Sequence, residues 1–172
     1  MSAAVLSIGS NLGDRAAHLQ DCVDGFGAAV RAVSPVYATA PWGSVPQGEF
    51  LNAVLLVDDP AAGPAEWLRR GQRREAAAGR VRDVRWGPRT LDVDVVTVHG
   101  ARRDDERLVL PHPRAHERAF VLAPWLDVAP DAVLPGRGAV ADLLAALPAA
   151  ERAGVRRCAD PVLLAGGRPC RR

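Results

Sequence analysis

The segment RWGPRTLDVDV, residues 85–95, places two aspartates on a short apolar strand directly after a loop rich in arginine. Because alternate side chains of a strand share a face, Asp92 and Asp94 point the same way, roughly 6–7 Å apart, while Val93 and Val95 point into the core. Aspartate is unfavourable in strands, and like charges on one face repel each other. The segment therefore predicts a strand whose carboxylates need a positive partner.

Outward from this strand, the sequence alternates between apolar runs and helical patterns. Apolar runs predict strands at residues 3–8, 31–39 and 50–59. A helical pattern follows the first of these strands, and a second helix runs from Pro64 to a stop at Gly79. The order strand, helix, strand, strand, helix, strand is that of a split βαβ arrangement. We therefore expect an α+β fold with a ferredoxin-like core, an antiparallel sheet with helices on one face, and a C-terminal helical appendage.

The length of 172 residues and the hydrophobic content of 48% suit one domain, which we expect over residues 1–150. Residues 151–172 are rich in glycine, proline and arginine, and we expect them to form a disordered tail.

Composition excludes several function classes. All 22 basic residues are arginine, so a Walker phosphate loop, a protein-kinase site and Schiff-base chemistry, which need lysine, are excluded. The net charge of +2 argues against binding nucleic acid by charge alone. The N-terminus has no signal-peptide pattern and no long apolar stretch occurs, so we expect neither secretion nor membrane insertion. The three cysteines are widely spaced and suit a cytoplasmic protein.

The aspartate pair has the spacing to bracket two Mg²⁺ ions, which prefer a few carboxylates together with phosphate oxygens. Four arginines precede the pair and could pair with phosphate oxygens from a mobile lid: Arg80, Arg82, Arg85 and Arg89. Downstream, the histidines and arginines of residues 112–118 form a second basic cluster suited to phosphate contact, and Pro113 argues against a zinc site there. The alternatives are a solvated sheet edge, a solvated basic loop and structural histidines.

Five segments occur in one order across residues 3–147: IGSNLGD, ATAPWG, FLNAV, RWGPRTLDVDV and LPHPRAHERAFVLAP. Together they resemble the 6-hydroxymethyl-7,8-dihydropterin pyrophosphokinase family of folate biosynthesis, and RWGPRTLDVD is close to that family's signature. The resemblance implies that the pyrophosphoryl group of ATP, the co-substrate, is transferred to the hydroxymethyl oxygen of the pterin, releasing AMP. It also implies a ferredoxin-like core and a monomer.

The resemblance assigns roles residue by residue. Asp92 and Asp94 would hold two Mg²⁺ ions, and Asp92 would also contact the pterin. Arg82, Arg89 and Asp94 would be catalytic. The ATP site would comprise Gln72, Glu75, Arg80, Arg82, Arg89, Arg107, His112 and Arg118. The pterin site would comprise Thr39, Trp42, Phe50, Asn52, Trp86, Asp92 and Phe120, with the two phenylalanines stacking on the ring and Asn52 reading its polar edge.

The sequence departs from the family at a few positions. The lid between Gly79 and Trp86 is one residue shorter than in the best-known form, which affects the register of Arg80 and Arg82 but not that of Arg89. Ala40, Trp42 and Pro113 replace a common proline, leucine and tyrosine. The resemblance names no general base, and Asp94 or a metal-bound route could take the hydroxyl proton.

Two rival functions use the same fold. A nucleotidyl transferase or cyclase would keep the metals, attack the α-phosphorus of ATP and release pyrophosphate. An RNA-binding module would need aromatic residues on its central strands, where LDVDVVTV has aspartates, so the sequence argues against it.

Overall fold

The computed structural model describes residues 2–41, 47–80 and 88–166. Within these ranges the strands are β1 (Ala3–Ser10), β2 (Val30–Val33), β3 (Tyr37–Thr39), β4 (Phe50–Asp58), β5 (Asp92–Val98), β6 (Arg103–Asp104), β7 (Val109–Leu110), β8 (Val133–Leu134), β9 (Gly138–Ala139) and β10 (Val155–Arg157). The helices are α1 (Arg15–Phe26), α2 (Pro64–Ala77), α3 (Ala119–Val128), α4 (Val140–Ala146) and α5 (Ala149–Ala153). Short 3₁₀ segments cover Gly27–Ala29 and Ala115–Glu117.

The ends of the first two helices follow from local sequence. The carboxylate of Asp14 caps α1 by accepting a hydrogen bond from the backbone N–H of Ala17 at 3.0 Å. Pro64 occupies the first turn of α2, where a missing N–H costs nothing. Gly79, just beyond the end of α2, has a φ of 68°, a conformation that favours glycine. The predicted start and stop of this helix are confirmed.

The main sheet is antiparallel, with strand order β10-β3-β4-β1-β5, and β2 also pairs with β4. The strand expected over residues 31–39 is therefore two strands, β2 and β3, which pair with successive parts of β4. Pro35 lies between them and has no backbone N–H to donate. Ser34 bridges the break, because its hydroxyl accepts a hydrogen bond from the backbone N–H of Val54 at 2.8 Å.

Helices cover both faces of the sheet: α1 and α2 lie on one face, as expected for the core, but α3 and α4 cover the other face, which was expected to be bare. Residues of α1 and α2, among them Leu19 and Trp67, pack with one set of strand residues in the larger core cluster. Residues of α3 and α4 pack in a second cluster with the alternate strand residues Val5, Val54 and Val96. Because the strands are apolar on both faces, each face has to be covered. The segment expected as an appendage thus packs into a second, smaller part of the core.

Residues 151–157, which belong to the tail expected to be disordered, form part of a helix and a strand in the structure. Residues 151–153 belong to α5, and β10 pairs with β3. The side chain of Leu163 is buried in the larger core cluster. The physical reason is that β3 would otherwise present unpaired backbone groups at the edge of the sheet. Among the described residues, no helix is both long and apolar enough to cross a membrane.

Candidate active site

A pocket opens where β1, β4 and β5 lie side by side, on the face that α3 covers. Strand register brings its floor together, because Gly9 on β1 lies between Asn52 on β4 and Asp92 on β5, and Ser7 lies opposite Asp94. A Cβ atom at residue 9 would lie 2.9 Å from the amide oxygen of Asn52, so any larger residue here would displace that side chain. The lining residues are Ser7, Gly9, Thr39, Ala40, Gln47, Phe50, Asn52, Arg89, Asp92, Asp94, Arg118 and Phe120.

The prediction that Asp92 and Asp94 share a face, with Val93 and Val95 in the core, is confirmed. Each carboxylate has a basic partner. Asp92 accepts a hydrogen bond at Oδ1 from Arg80 Nη1, 2.6 Å away, and one at Oδ2 from Arg89 Nη1, 2.5 Å away. For Asp92, the positive charge that the strand was expected to need therefore comes from arginines of the preceding segment.

Asp94 is bound from the other side of the pocket. Its Oδ2 accepts a hydrogen bond from Arg118 Nη1 at 2.9 Å, and the Nε2 of His112 lies 3.9 Å from the same oxygen. Nδ1 of His112 accepts from the backbone N–H of Arg114 at 3.2 Å, so a neutral His112 carries its proton on the nitrogen that faces Asp94. Burial lowers the pKa of His112 and so favours this neutral form.

The two carboxylates have opposite pKa shifts. Burial acts to raise the pKa of Asp92, but the guanidinium groups of Arg89 and Arg80 outweigh it and lower that pKa overall. Burial, reinforced by the neighbouring Asp92 charge, raises the pKa of Asp94 in spite of His112 and Arg118. In the absence of a further cation, Asp94 is thus the less well compensated of the two carboxylates.

Glu75 lies outside the pocket and supports β5 from α2. Its carboxylate accepts a hydrogen bond from the backbone N–H of Val93 at 3.0 Å and another from Arg80 Nη1. β5 ends the sheet, so Val93 would otherwise present an unpaired N–H at its edge. Glu75 therefore fixes the strand that carries the two aspartates and holds the arginine that binds Asp92.

The other side of the pocket is uncharged. The amide Nδ2 of Asn52 donates to Thr39 Oγ1 at 2.9 Å, and both residues are almost fully buried. Phe50 and Phe120 line the same side, and the Arg118 guanidinium lies 5.6 Å from the centre of the Phe120 ring. Apolar rings beside a small number of fixed polar groups suit a flat organic ligand.

Asn11 joins the loops around the pocket, and sequence reasoning gave it no role. Its Nδ2 donates to Gln47 Oε1 at 2.8 Å and to the carbonyl oxygen of Gly48 at 3.2 Å. Its Oδ1 accepts from the backbone N–H of Arg89 at 2.7 Å. Asn11 belongs to the quoted segment IGSNLGD, so the signal was present, but these partners are distant in sequence. Ser7, Gly9 and Gln47 were missed for the same reason.

Most of the predicted site residues within the described ranges meet at the pocket. Gln72 and Arg107 do not line it, and both are exposed. Glu75 lies outside the pocket and accepts a hydrogen bond from the backbone of β5, and Arg80 contacts the site by its hydrogen bond to Asp92. Trp42, Arg82 and Trp86 lie outside the described residues.

The described residues contain no cluster of three or more His, Cys, Asp or Glu side chains that could hold a metal ion. The aspartate pair supplies two carboxylates, which suits a metal whose other ligands are waters and phosphate oxygens. The pair fits this use because both carboxylates face the pocket and the charge of Asp94 is poorly compensated.

The chain is similar to proteins of established name. A family model described as 7,8-dihydro-6-hydroxymethylpterin-pyrophosphokinase (HPPK) matches residues 5–130. The 2-amino-4-hydroxy-6-hydroxymethyldihydropteridine pyrophosphokinase of Mycobacterium tuberculosis is 52% identical, over 91% of this chain and 89% of the relative. The protein of the same name from Pseudomonas aeruginosa is 41% identical, over 83% of this chain and 90% of the relative.

Solved structures agree in fold. The crystal structure of wild-type Plasmodium falciparum HPPK-DHPS with SDX-DHP superposes with a TM-score of 0.61 at 13% identity, and this chain spans 43% of that longer chain. Its S436F/A437G/A613T triple mutant with STZ-DHP gives a TM-score of 0.65 at 12% identity, and both superpositions cover 84% of this chain and 43% of the other. By the family model and its close relatives, the chain belongs to the 7,8-dihydro-6-hydroxymethylpterin-pyrophosphokinase family.

Proposed function

We propose that this chain transfers the pyrophosphoryl group of ATP to the hydroxymethyl oxygen of 6-hydroxymethyl-7,8-dihydropterin, giving the pterin diphosphate and AMP in folate biosynthesis. Family membership supports the reaction, and one observation supports the pocket as the place where it occurs. A carboxylate pair bound by three arginines lies in the same pocket as two phenylalanines and a buried amide. One side suits a polyphosphate and the other a flat ring.

We assign the phosphates of ATP to the arginine side. Arg89 and Arg118 already lie at the carboxylates, and their forked guanidinium groups match phosphate oxygens in geometry and charge. The Nε atoms of Arg80 and Arg118 are buried donors without an acceptor among the described residues, so further anionic contacts would satisfy them. Arg82 remains a predicted clamp from the lid, and Gln72, Glu75, Arg107 and His112 remain predicted contacts of the nucleotide.

We assign Asp92 and Asp94 to two Mg²⁺ ions that enter with the phosphates. When bound there, magnesium would neutralise charge that builds up on the transferring group and align the reacting oxygens. The chain supplies two carboxylates on one strand face, and the edge of that strand is fixed by Glu75. Arg80 and Arg89, which bind Asp92 when no metal is present, would bind the phosphates instead when magnesium is bound.

We assign the pterin to the uncharged side. Phe50 and Phe120 would stack on the two faces of the ring, and Asp92 would contact the pterin from the charged side. Asn52, held by Thr39, would read its polar edge. An unpaired buried amide costs about 1–3 kcal/mol, so a ring without matching polar groups would be rejected. Trp42 and Trp86 remain predicted contacts of the ring.

The reaction step follows from this placement. The hydroxymethyl oxygen of the pterin attacks the β-phosphorus of ATP, the bond from that phosphorus to the α-phosphate oxygen breaks, and AMP leaves. The chain contributes by holding both substrates in line and by setting positive charge around the phosphates. Asp94 is the chain's own candidate to accept the hydroxyl proton.

We also propose that the core is ferredoxin-like and that the chain is a cytoplasmic monomer with one domain. The four strands of the split βαβ order are β1, then β2 and β3 counted as one, then β4, then β5. Across the sheet they lie in the order β5, β1, β4 and β3, that is fourth, first, third and second. Both helices that connect them, α1 and α2, pack on one face, and this supports the ferredoxin-like assignment.

The test is to incubate the protein with MgATP, with and without 6-hydroxymethyl-7,8-dihydropterin, and to identify the products by chromatography. We expect AMP and pterin diphosphate to appear together, and only when the pterin is present. Release of pyrophosphate would instead show attack at the α-phosphorus and would replace this proposal with nucleotidyl transfer. The Asp94→Asn variant serves as the matched inactive control.

A further inference from the structure

Residues 155–164, which we name the C-terminal clamp, lie beyond the part of the chain that the family model matches. Val155 pairs with Thr39 and Arg157 with Tyr37, so β10 covers the outer edge of β3. The pairing continues one residue further, because the backbone N–H of Cys158 donates to the carbonyl oxygen of Val36 at 2.8 Å. The clamp thus covers a strand that ends in the pocket.

The strand it covers is short. β3 has three residues, and its last residue, Thr39, lines the pocket and accepts the hydrogen bond from Asn52. β4 holds β3 on one side, through the pairs Tyr37 with Asn52 and Thr39 with Phe50. The other side is held by β10. Without β10, a three-residue strand at a sheet edge would open readily.

The clamp also ties this strand to α3, which begins next to the pocket at Ala119. The hydroxyl of Tyr37 donates to Asp127 Oδ2 at 2.7 Å, and Arg157 Nη1 lies 3.7 Å from Asp127 Oδ1. Burial and the hydrogen bond to Asp127 raise the pKa of Tyr37 to about 12, so this phenol remains a donor at neutral pH. One aspartate of α3 therefore binds both β3 and β10.

The far end of the clamp is fixed to α1 and to the core. The side-chain amide of Gln20 donates to the carbonyl oxygen of Leu164 at 2.9 Å and accepts from its backbone N–H at 3.0 Å. Gln20 and Leu163 are each 8% exposed. The ion pair of Arg156 with Glu49 is exposed and contributes little. The buried contacts of Gln20 and Leu163 are therefore the anchors.

From these contacts we infer that the C-terminal clamp is a positioning element for the pterin, holding Thr39, Asn52 and the start of α3 in a fixed arrangement. The inference rests on the proposed function, because it assumes that the uncharged side takes the pterin. The strand of the clamp, β10, lies at the opposite end of the main sheet from β5, which carries the aspartate pair, so the clamp acts on one substrate. Loosening it should raise KM for the pterin and leave KM for ATP unchanged.

The test replaces both anchors, as Gln20→Ala with Leu163→Ala, and keeps the chain length. Hydrogen exchange measures protection of residues 37–39, with α2 as an internal reference, and steady-state kinetics give both KM values. Two controls match it. A chain that stops after Gly166 retains the whole clamp, and Leu68→Ala removes a leucine that packs on the same core from α2.

We expect exchange at residues 37–39 to become faster while α2 is unchanged, and KM for the pterin to rise about tenfold, since small misplacements of binding groups are costly. KM for ATP should stay unchanged. The unfolding temperature and kinetics of the Leu68→Ala control show how much of any change comes from a general loss of core packing. Unchanged exchange, or faster exchange with an unchanged KM for the pterin, would overturn the inference.

The same assay separates the inference from the proposed function. If the unmodified chain forms no AMP with the pterin, the proposed function fails whatever the clamp does. If the unmodified chain is active but the anchor variant raises KM for ATP alone, the clamp supports a nucleotide site and the inference is overturned.

Discussion

The two sides of the pocket are built from different interactions. On β5, Asp92 and Asp94 receive charged hydrogen bonds from three arginines that come from two separate segments of the chain. On β4 and β3, Asn52 and Thr39 form one neutral, buried hydrogen bond beside apolar rings. Under the proposed function, the charged side exchanges ion pairs when ATP and metal bind, whereas Asn52 and Thr39 are already hydrogen-bonded to each other on the neutral side. Substitutions on the charged side should therefore slow chemistry, and those on the neutral side should weaken binding.

The largest effect is expected at Asp94. Asp94→Asn removes a proposed metal ligand, and because a metal contributes several kcal/mol to such a transition state, kcat should fall about 1000-fold. The amide retains an acceptor for Arg118, so the circular dichroism spectrum should match that of the parent. Turnover is measured as AMP formation, with Asp131→Asn at an exposed position as control. Near-normal turnover would remove Asp94 from the metal site.

The next effect is expected at Arg89. Arg89→Ala removes a guanidinium group from the charged side, and loss of one preorganised donor at developing charge costs about 100–1000-fold in rate. Single-turnover kinetics should reveal this loss, while pterin binding changes far less. Arg89→Lys should recover only part of the rate, because lysine lacks the fork that binds two oxygens. An unchanged single-turnover rate would mean that Arg89 is not a clamp.

On the neutral side, Asn52→Ala should leave kcat close to normal and raise KM for the pterin about tenfold, as expected when a buried polar partner is lost. KM for ATP should not change. Ser34→Ala is the matched control, since Ser34 also makes a buried hydrogen bond to β4 but lies outside the pocket. A larger effect on kcat than on the KM for the pterin would remove the distinction between the two sides.

The charged side could be predicted from a short stretch of sequence because strand periodicity alone fixes which way Asp92 and Asp94 point. The supporting residues were harder to find. Glu75 acts through the backbone of Val93 and Asn11 through the backbone of Arg89, and hydrogen bonds to distant backbone leave no pattern in the sequence. The neutral side was predicted only by resemblance, since a phenylalanine on a strand usually packs in a core.

The fold also has parts that could be predicted from the sequence and parts that could not. Alternation and helix signals placed β1, α2 and β5 well, because β1 and β5 are mainly apolar and α2 has a proline in its first turn and a glycine just beyond its end. The ordered tail was missed because β10 has the sequence Val-Arg-Arg, and its order comes from the unpaired edge of β3. The second helical layer was misjudged because the apolar residues of β1 and β4 occupy both strand faces, so the sheet accepts helices on each side.

The smallest expected effect is on thermal stability, and it should have opposite signs for the two aspartates. It is measured on protein kept free of metal by a chelator. The pKa of Asp94 is raised on folding, so its contribution to stability is present at low pH and is lost as the pH rises through the folded-state pKa. The pKa of Asp92 is lowered, so its contribution is present at neutral pH and is lost as the pH falls. At about pH 7, Asp94→Asn should therefore raise the melting temperature and Asp92→Asn should lower it. The Asp94→Asn difference should shrink as the pH falls through the raised pKa of Asp94. The Asp92→Asn difference should persist until the pH falls to the ordinary aspartate pKa of 3.8 and shrink only below it. Thermal unfolding between about pH 7 and about pH 3 measures both differences, with Asp131→Asn as the control. Shifts of the same sign would mean that the three arginines serve the two carboxylates equally, and the charged side would then have no poorly compensated carboxylate to attract a cation.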